Sequence, residues 1–359
     1  MTDQLGIGII GAGGVSGAHA KAYQYLGQKT RLVAVADTDA DTARAFKERY
    51  QFDQWTTDYQ ELISREDVHA VSICTPHHLH CKHSVDALNA GKHVLVEKPM
   101  AISLEEADAM IAASERNNKK LAVVYQLRME HDARRAKALI DSGSLGKMFY
   151  CEAACLWWRK PSYYSVSWRG SWNTEGGGAV INQASHHLDL MQWLLGMPKS
   201  VEACAAVVAH DIEVEDWCRA TLQWENFRGS FIATTAAELE SDQNRLMALG
   251  NHASLQLFPF RPHSRSDEQL GQIIDVLKKV EDAGLSGHVA QIADFVNAIS
   301  RDLKPAVDGY EGRKSLELAT AIYESAFAGS IVELPVASTS SCYTSLGKRE
   351  AALAAFGRR

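Results

Sequence analysis

Three groups of residues in this chain have the types and spacing to do chemistry. The first lies at the start. An apolar run, Leu5 to Ile10, enters Gly11-Ala12-Gly13-Gly14-Val15-Ser16-Gly17, and a helical pattern follows from Ser16 to Leu26. Gly11 and Gly13 fill the first two positions of a G-x-G-x-x-G turn, and Ser16 stands where a third glycine is common. Such a turn brings backbone amides and a helix N-terminus close to a pyrophosphate. A second short strand, RLVAVA, ends at Asp37, 24 residues after Gly13, where a carboxylate accepts hydrogen bonds from ribose hydroxyls. Gly11, Gly13, Gly14, Val15 and Asp37 are therefore expected to hold a dinucleotide. Asp37 would repel a 2′-phosphate, and Thr38, Asp39 and Ala40 bring no arginine, which favours NAD. Arg44 is near enough in sequence to keep NADP open.

The second group is Glu97-Lys98-Pro99, directly after the strand HVLV. The C-terminal end of a parallel strand faces the ligand crevice, so Lys98 is placed to meet both cofactor and substrate. A plain surface lysine closing a strand is the bland alternative. Thr75 and His80, after the strand AVSIC, and Glu97 are expected on the cofactor side for the same reason. His77, His78, His80 and His83 crowd near Cys74 and Cys81. Their spacing fits no standard zinc pattern, so no metal is expected.

The third group is the segment Glu175 to Asp189, EGGGAVINQASHHLD. Read as helix, it puts Asn182, His186 and Asp189 on one face. His titrates near neutral pH, so His186 suits proton removal from a hydroxyl, with Lys98 steadying the charge that develops on oxygen. His187 competes with it, and a buried, internally satisfied histidine is the bland alternative. Just upstream, Trp157, Trp158, Tyr163, Tyr164, Trp168 and Trp172 surround Arg159 and Arg169. Aromatic faces suit the C–H faces of sugars. Arg159, Tyr163 and Trp172 are the expected substrate contacts with Lys98, Asn182 and His186, although domain packing explains any single aromatic equally well.

The elements that must position these groups alternate strand and helix over the first third of the chain, which argues for a doubly wound parallel sheet. After about residue 129, β-like runs follow closely at 147–154, 200–208, 217–224, 229–235, 245–249 and 253–258. They predict an α+β domain with a large, mostly antiparallel open sheet. A helix is predicted near 185–195, and two more near 288–300 and 312–329. The stretch 260–271 is polar and reads as loop, and the pattern assigns no element to the tail after Pro335. The domains expected are 1–128 for the dinucleotide, 129–336 for substrate and self-association, and 337–359 as an extension.

These segments together resemble the glucose–fructose oxidoreductase / inositol dehydrogenase / MocA family. The resemblance is carried by the glycine loop, AHAKAY (Ala18 to Tyr23), AGKHVLVEKP (Ala90 to Pro99), GGGAVINQASHHLD (Gly176 to Asp189) and GYEGRKSLELATAIYESAFAG (Gly309 to Gly329). It implies a Rossmann domain followed by an open-sheet domain, with helix 312–329 packing back on the Rossmann domain. It also implies Lys98 as catalytic lysine and His186 as catalytic histidine. Asn182 departs from it, since many members carry Asp there. Asn cannot hold a charge beside a protonated His186, but it can hydrogen-bond a substrate hydroxyl. The activity implied is NAD-dependent oxidation of a ring hydroxyl on a sugar or cyclic polyol. Sugar reduction with NADP, nucleotide-sugar oxidation, redox-neutral glycoside cleavage and a non-catalytic dinucleotide- and sugar-binding regulator are the alternatives.

Composition narrows the partners. Lys plus Arg number 37 against 44 Asp plus Glu, a net charge of −7, so no basic field favours nucleic acid or an anionic membrane. No apolar stretch is long enough to span a bilayer. Seven cysteines without a CxxC pair fit reduced thiols in a cytoplasmic setting. An open sheet with an apolar face predicts a homodimer or homotetramer.

Overall fold

The structure is a computed structural model and describes residues 4–357. Residues 358 and 359 of the expected extension lie outside the described range. The chain divides into two compact units: residues 1–101, 106–126 and 285–313 form one, and residues 102–105, 127–284 and 314–359 form the other.

The first unit is built on six parallel strands: β1 (Leu5–Ile10), β2 (Thr30–Ala36), β3 (Gln54–Thr56), β4 (Ala70–Ile73), β5 (His93–Val96) and β6 (Leu121–Val123). Their order is β3-β2-β1-β4-β5-β6, which is the doubly wound arrangement. The helices between them are α1 (Ser16–Tyr25), α2 (Ala40–Tyr50), α3 (Tyr59–Ser64), α4 (His80–Asn89) and α5 (Leu104–Arg116). β1, β2, β4 and β5 are almost wholly buried and carry near-continuous apolar runs, as strands covered on both faces must. Strand order reverses between β1 and β4. The glycine turn after β1 therefore opens at the switch point, where the crossover loops diverge and leave a crevice.

The second unit carries α6 (His131–Asp141), α7 (Ser185–Leu195) and α8 (Asp267–Leu277) against an eight-stranded sheet. Its strands are β7 (Met148–Leu156), β8 (Ser200–Ala206), β9 (Trp217–Gln223), β10 (Arg228–Thr234), β11 (Gln243–Gly250), β12 (Ser254–Gln256), β13 (Arg261–His263) and β14 (Val332–Glu333). The order is β13-β12-β11-β7-β10-β9-β8-β14, antiparallel throughout except for the parallel pair β7–β10. Cys218, Ala220 and Leu222 of β9 are buried while Arg219 is exposed, the alternation of a sheet with one covered face. Leu139 of α6, Leu190 and Leu194 of α7, and Ile273 of α8 pack with Leu246, Ala248 and Leu255 to form the core on that face.

Three stretches are defined beyond the sequence pattern. The helix that packs along α1 is α9 (Gly287–Ser300), through Ile292, Phe295 and Val296. Of α10 (Gly309–Ala328), only the first five residues belong to the first unit, where Gly309 and Gly312 sit against Leu121 and Val123. From Lys314 the helix belongs to the second unit. Residues 260–271, expected as loop, hold β13 and the start of α8, which Ser266 caps through the Gln269 amide. The spacing misled because β13 has three residues and the next helix starts with polar ones. The tail forms α11 (Ser345–Phe356), capped by Thr344, with Phe356 stacked 6.1 Å from Trp172.

Candidate active site

In the first unit the glycine turn is shaped from both ends. Gly11 has φ +93°, and a Cβ there would lie 2.7 Å from the Cys74 carbonyl oxygen, so only glycine fits. Over Gly13 and Gly14 there is open space, the room a pyrophosphate needs. Ser16 is fully buried, and its hydroxyl donates to the Gly13 carbonyl and closes the turn onto α1. Asp37 accepts from the Ala12 amide at 2.8 Å and from the Asp39 amide at 3.0 Å. This fixes its carboxylate beside the turn. Arg44, which kept NADP open, is paired with Asp41 at 2.5 Å.

The strand end that carries Lys98 is tied down on all sides. Glu97 is buried. Its carboxylate lies 2.9 Å from His19 Nε2 and 3.5 Å from His288 Nε2, and it accepts from the Lys98 amide at 3.1 Å. Burial works to raise the Glu97 pKa, but His19 and His288 prevail and hold it well below the carboxylate range. His80 is buried with its ring nitrogens 2.7 Å from the Pro99 carbonyl and 2.8 Å from the Thr75 carbonyl. Burial pulls its pKa down, against the pull of those two carbonyls. Thr75 Oγ1 meets His83 Nδ1 at 3.2 Å. Glu97 and His80 were expected to face the cofactor. In the structure Glu97 meets His19, His288 and the Lys98 amide, and His80 meets the Pro99 and Thr75 carbonyls, while Lys98 is half-buried. Among the described residues, one group brings three potential metal ligands within 4.8 Å: His19, Glu97 and His288, not the His77–His83 cluster.

In the second unit, Asn182 does not sit on the helix with His186. It lies in a π turn, Ala179–Gln183, closed by the Ala184 amide on the Ala179 carbonyl, and α7 begins only at Ser185. The extra residue breaks the i, i+4 register, so the single-face expectation is corrected. Asp189 also leaves the site, because Arg128 grips it at 2.6 and 2.8 Å in the core and Ser315 donates to it. Asn182 is braced instead by its own turn. Its amide nitrogen donates to Tyr163 Oη at 3.2 Å and to Glu175 Oε1. Gln183 also donates to Tyr163 Oη, at 3.0 Å, and Glu175 Oε2 accepts from the Gly170 amide. His186 is half-exposed, whereas His187 is buried against Phe258 with its pKa pushed down to about 4 by burial. Of the two, His186 is the more exposed.

Arg159 pairs with Asp242 at 3.1 Å and lies over the rings of Trp157 and Tyr163. Trp172, expected as a substrate contact, is 2% exposed, donates to the Glu213 carbonyl, and meets Tyr323 and Phe327 edge-on. The structure gives it to the core. Two carboxylates that hold this turn escaped the sequence reading. Glu175 stands in the glycine segment but had no assigned task. Glu215, fully buried, accepts from the Gly178 and Val180 amides and from Tyr323 Oη, each at 2.9 Å. It holds the π turn from below. Gly178 is required there, since a Cβ would lie 1.9 Å from the Glu215 carbonyl oxygen.

A glycine turn at a sheet switch point, with Asp37 fixed beside it, is the arrangement of a dinucleotide-binding domain. Residues 5–125 match the family model described as oxidoreductase family, NAD-binding Rossmann fold, and residues 133–256 match the GFO/IDH/MocA C-terminal domain. The chain belongs to this family, and its cofactor is NAD. It is 40% identical over 172 residues to 1-carboxy-3-chloro-3,4-dihydroxycyclohexa-1,5-diene dehydrogenase of Comamonas testosteroni, over 46% of this chain and only 42% of that protein. It is 28% identical over 349 residues to D-glucoside 3-dehydrogenase of Escherichia coli, over 92% of this chain and 97% of that one. Among solved structures it resembles the WlbA dehydrogenase of Bordetella pertussis in complex with NADH and UDP-GlcNAcA. The TM-score is 0.84 at 28% identity, covering 93% of this chain and all of that one. The chain is an oxidoreductase of a family that acts on sugars and polyols. No described helix is long and apolar enough to cross a membrane.

Proposed function

We propose that this protein is an NAD-dependent dehydrogenase that oxidises a ring secondary hydroxyl of a sugar or cyclic polyol, with Lys98 and His186 handling the proton. The observation that carries this reading is the turn at Asn182. A polar side chain is braced by Tyr163 and Glu175 just before a half-exposed histidine, in a chain whose other unit is built for NAD. The full-length likeness to D-glucoside 3-dehydrogenase supports a sugar ring as substrate. Bound NAD supplies the hydride acceptor at the nicotinamide ring. Neutral His186 takes the hydroxyl proton as the C–H bond gives up its hydride, and the Lys98 ammonium steadies the charge building on oxygen. Asn182 carries no charge. The nearby carboxylate is that of Glu175, so Asn182 orients the hydroxyl while Glu175 fixes which way its amide faces.

The seven cysteines are all free, which supports a cytoplasmic setting. The second unit's sheet leaves one face only part-covered, which supports a homodimer or homotetramer. A monomer mass by light scattering would refute that. The chemistry is tested by following NADH absorbance over a panel of sugars and cyclic polyols. Lys98→Ala and His186→Ala should each lower turnover by ~10²-fold or more while NADH binding persists. Tight sugar binding without NADH formation at any substrate would instead identify a non-catalytic binder.

A further inference from the structure

Arg169 is a cation of the second unit that the reaction above does not use. Its guanidinium lies over the ring of Tyr163, 3.8 Å from the centroid, and 4.6 Å from that of Trp168. Nε and Nη1 are covered from solvent, and neither has a hydrogen-bond partner among the described residues. A covered N–H without an acceptor is costly, and a guanidinium cannot escape the cost by losing its proton. Burial does pull the Arg169 pKa down, and the neighbouring Arg159 adds to this while Glu175 opposes it. Neither carboxylate nearby supplies the missing acceptor. Glu175 spends its oxygens on Gly170 and Asn182, and Asp242 is paired with Arg159.

The position is informative. The Tyr163 ring under Arg169 is the ring whose hydroxyl accepts from Asn182 and Gln183. An acceptor brought to Arg169 is therefore about one side chain away from the hydroxyl-binding turn. Most residues of the turn around Tyr163, including Pro161, Ser162, Ser165 and Val166, are exposed, so it has solvent to open into.

We propose that Arg169 is the recognition group for a carboxylate on the substrate, so that the substrate is a hydroxylated ring acid such as a uronic acid or a carboxylated cyclic polyol. This rests on the dehydrogenase reading and narrows its substrate class. A carboxylate is planar with two charged acceptors on one edge, and it pairs with Nη2 and either Nε or Nη1, the two nitrogens that lack an acceptor here. A phosphate dianion would set a second negative charge beside Glu175 and Asp242, and the neighbouring Arg159 is already paired with Asp242.

The test uses two matched pairs on the full-length, NADH-loaded protein: D-glucuronate with its methyl ester, and quinate with its methyl ester. Calorimetry should find the acid of at least one pair bound ~10- to 100-fold tighter than the ester. Arg169→Gln should abolish that preference while leaving ester binding and NADH affinity unchanged. The proposal is overturned if ester and acid bind alike, if no member of either pair binds, or if Arg169→Gln keeps the preference. Tighter binding of glucose 6-phosphate than of either acid overturns it in favour of phosphate. Arg169-dependent acid binding with no NADH formation from either acid upholds the subsite and counts against the dehydrogenase reading instead.

Discussion

At the scale of single residues, the site works by restricting what a side chain can offer. Both protons of the Asn182 amide are directed into the protein, toward Tyr163 and Glu175. On the proposed reading, a substrate hydroxyl at Asn182 would donate to its carbonyl oxygen, since the amide nitrogen is engaged. Glu175 enforces this choice, because a carboxylate only accepts. Replacing it by Gln puts an amide opposite an amide, so the Asn182 side chain can turn over. Glu175→Gln should lower kcat/KM by about tenfold or more while NADH affinity, read by fluorescence titration, stays constant. An equal loss in NADH affinity would show that Glu175 supports the fold at large and not the orientation of Asn182. Lys98 is treated in a similar way. Glu97, His19, His288 and His80 hold its flanking backbone, so a half-buried lysine starts from a fixed base.

At the scale of elements, the π turn decides how the second unit presents its polar groups, and a buried carboxylate holds that turn. Glu215 has its pKa pushed up to about 7 by burial, against the pull of the Val180 and Gly178 amides and Tyr323. Its folded pKa thus lies above the unfolded value of 4.5, so the folded state binds the extra proton between the two. Stability from this group is greatest below pH 4.5 and falls as pH rises toward 7, by roughly 3 kcal/mol in all. Denaturant unfolding of the wild type and of Glu215→Gln at pH 5 and pH 8 checks this. The wild type should lose more stability over the interval, and equal losses would reject the assignment. The parallel sheet and its glycine turn were legible in the sequence, because buried strands and helix starts are local patterns. The turn at Asn182 was not. Helical periodicity assumes a constant step, and the bond from Ala184 to Ala179 adds one residue to it. Glu215 and Tyr323 reach the turn from far along the chain, where no spacing rule connects them. Trp172 misled for a related reason: an aromatic beside a site and an aromatic in the core have the same sequence signature.

At the scale of the whole molecule, the net charge of −7 sets a requirement for binding an anionic dinucleotide. The general field opposes the ligand weakly, so local amides and the α1 terminus must supply the attraction. Gly14 separates this local effect from the fold. Nothing lies within 4 Å of the place its Cβ would take, and its φ is not in the left-handed region, so a side chain there disturbs no packing. An aspartate at that position instead sets a negative charge where the pyrophosphate must approach. Binding to the folded state alone stabilises by about 2.7 kcal/mol when ligand is a hundredfold above Kd. Saturating NADH should therefore raise the unfolding midpoint of the wild type. Gly14→Asp should leave the midpoint of the free protein within about a degree, since surface changes away from contacts cost little, and should remove the NADH-induced shift. A variant that still gains the full shift would place the dinucleotide somewhere other than this turn, and the loss of both midpoint and shift together would mean that the turn is packed in a way the open space over Gly14 does not allow.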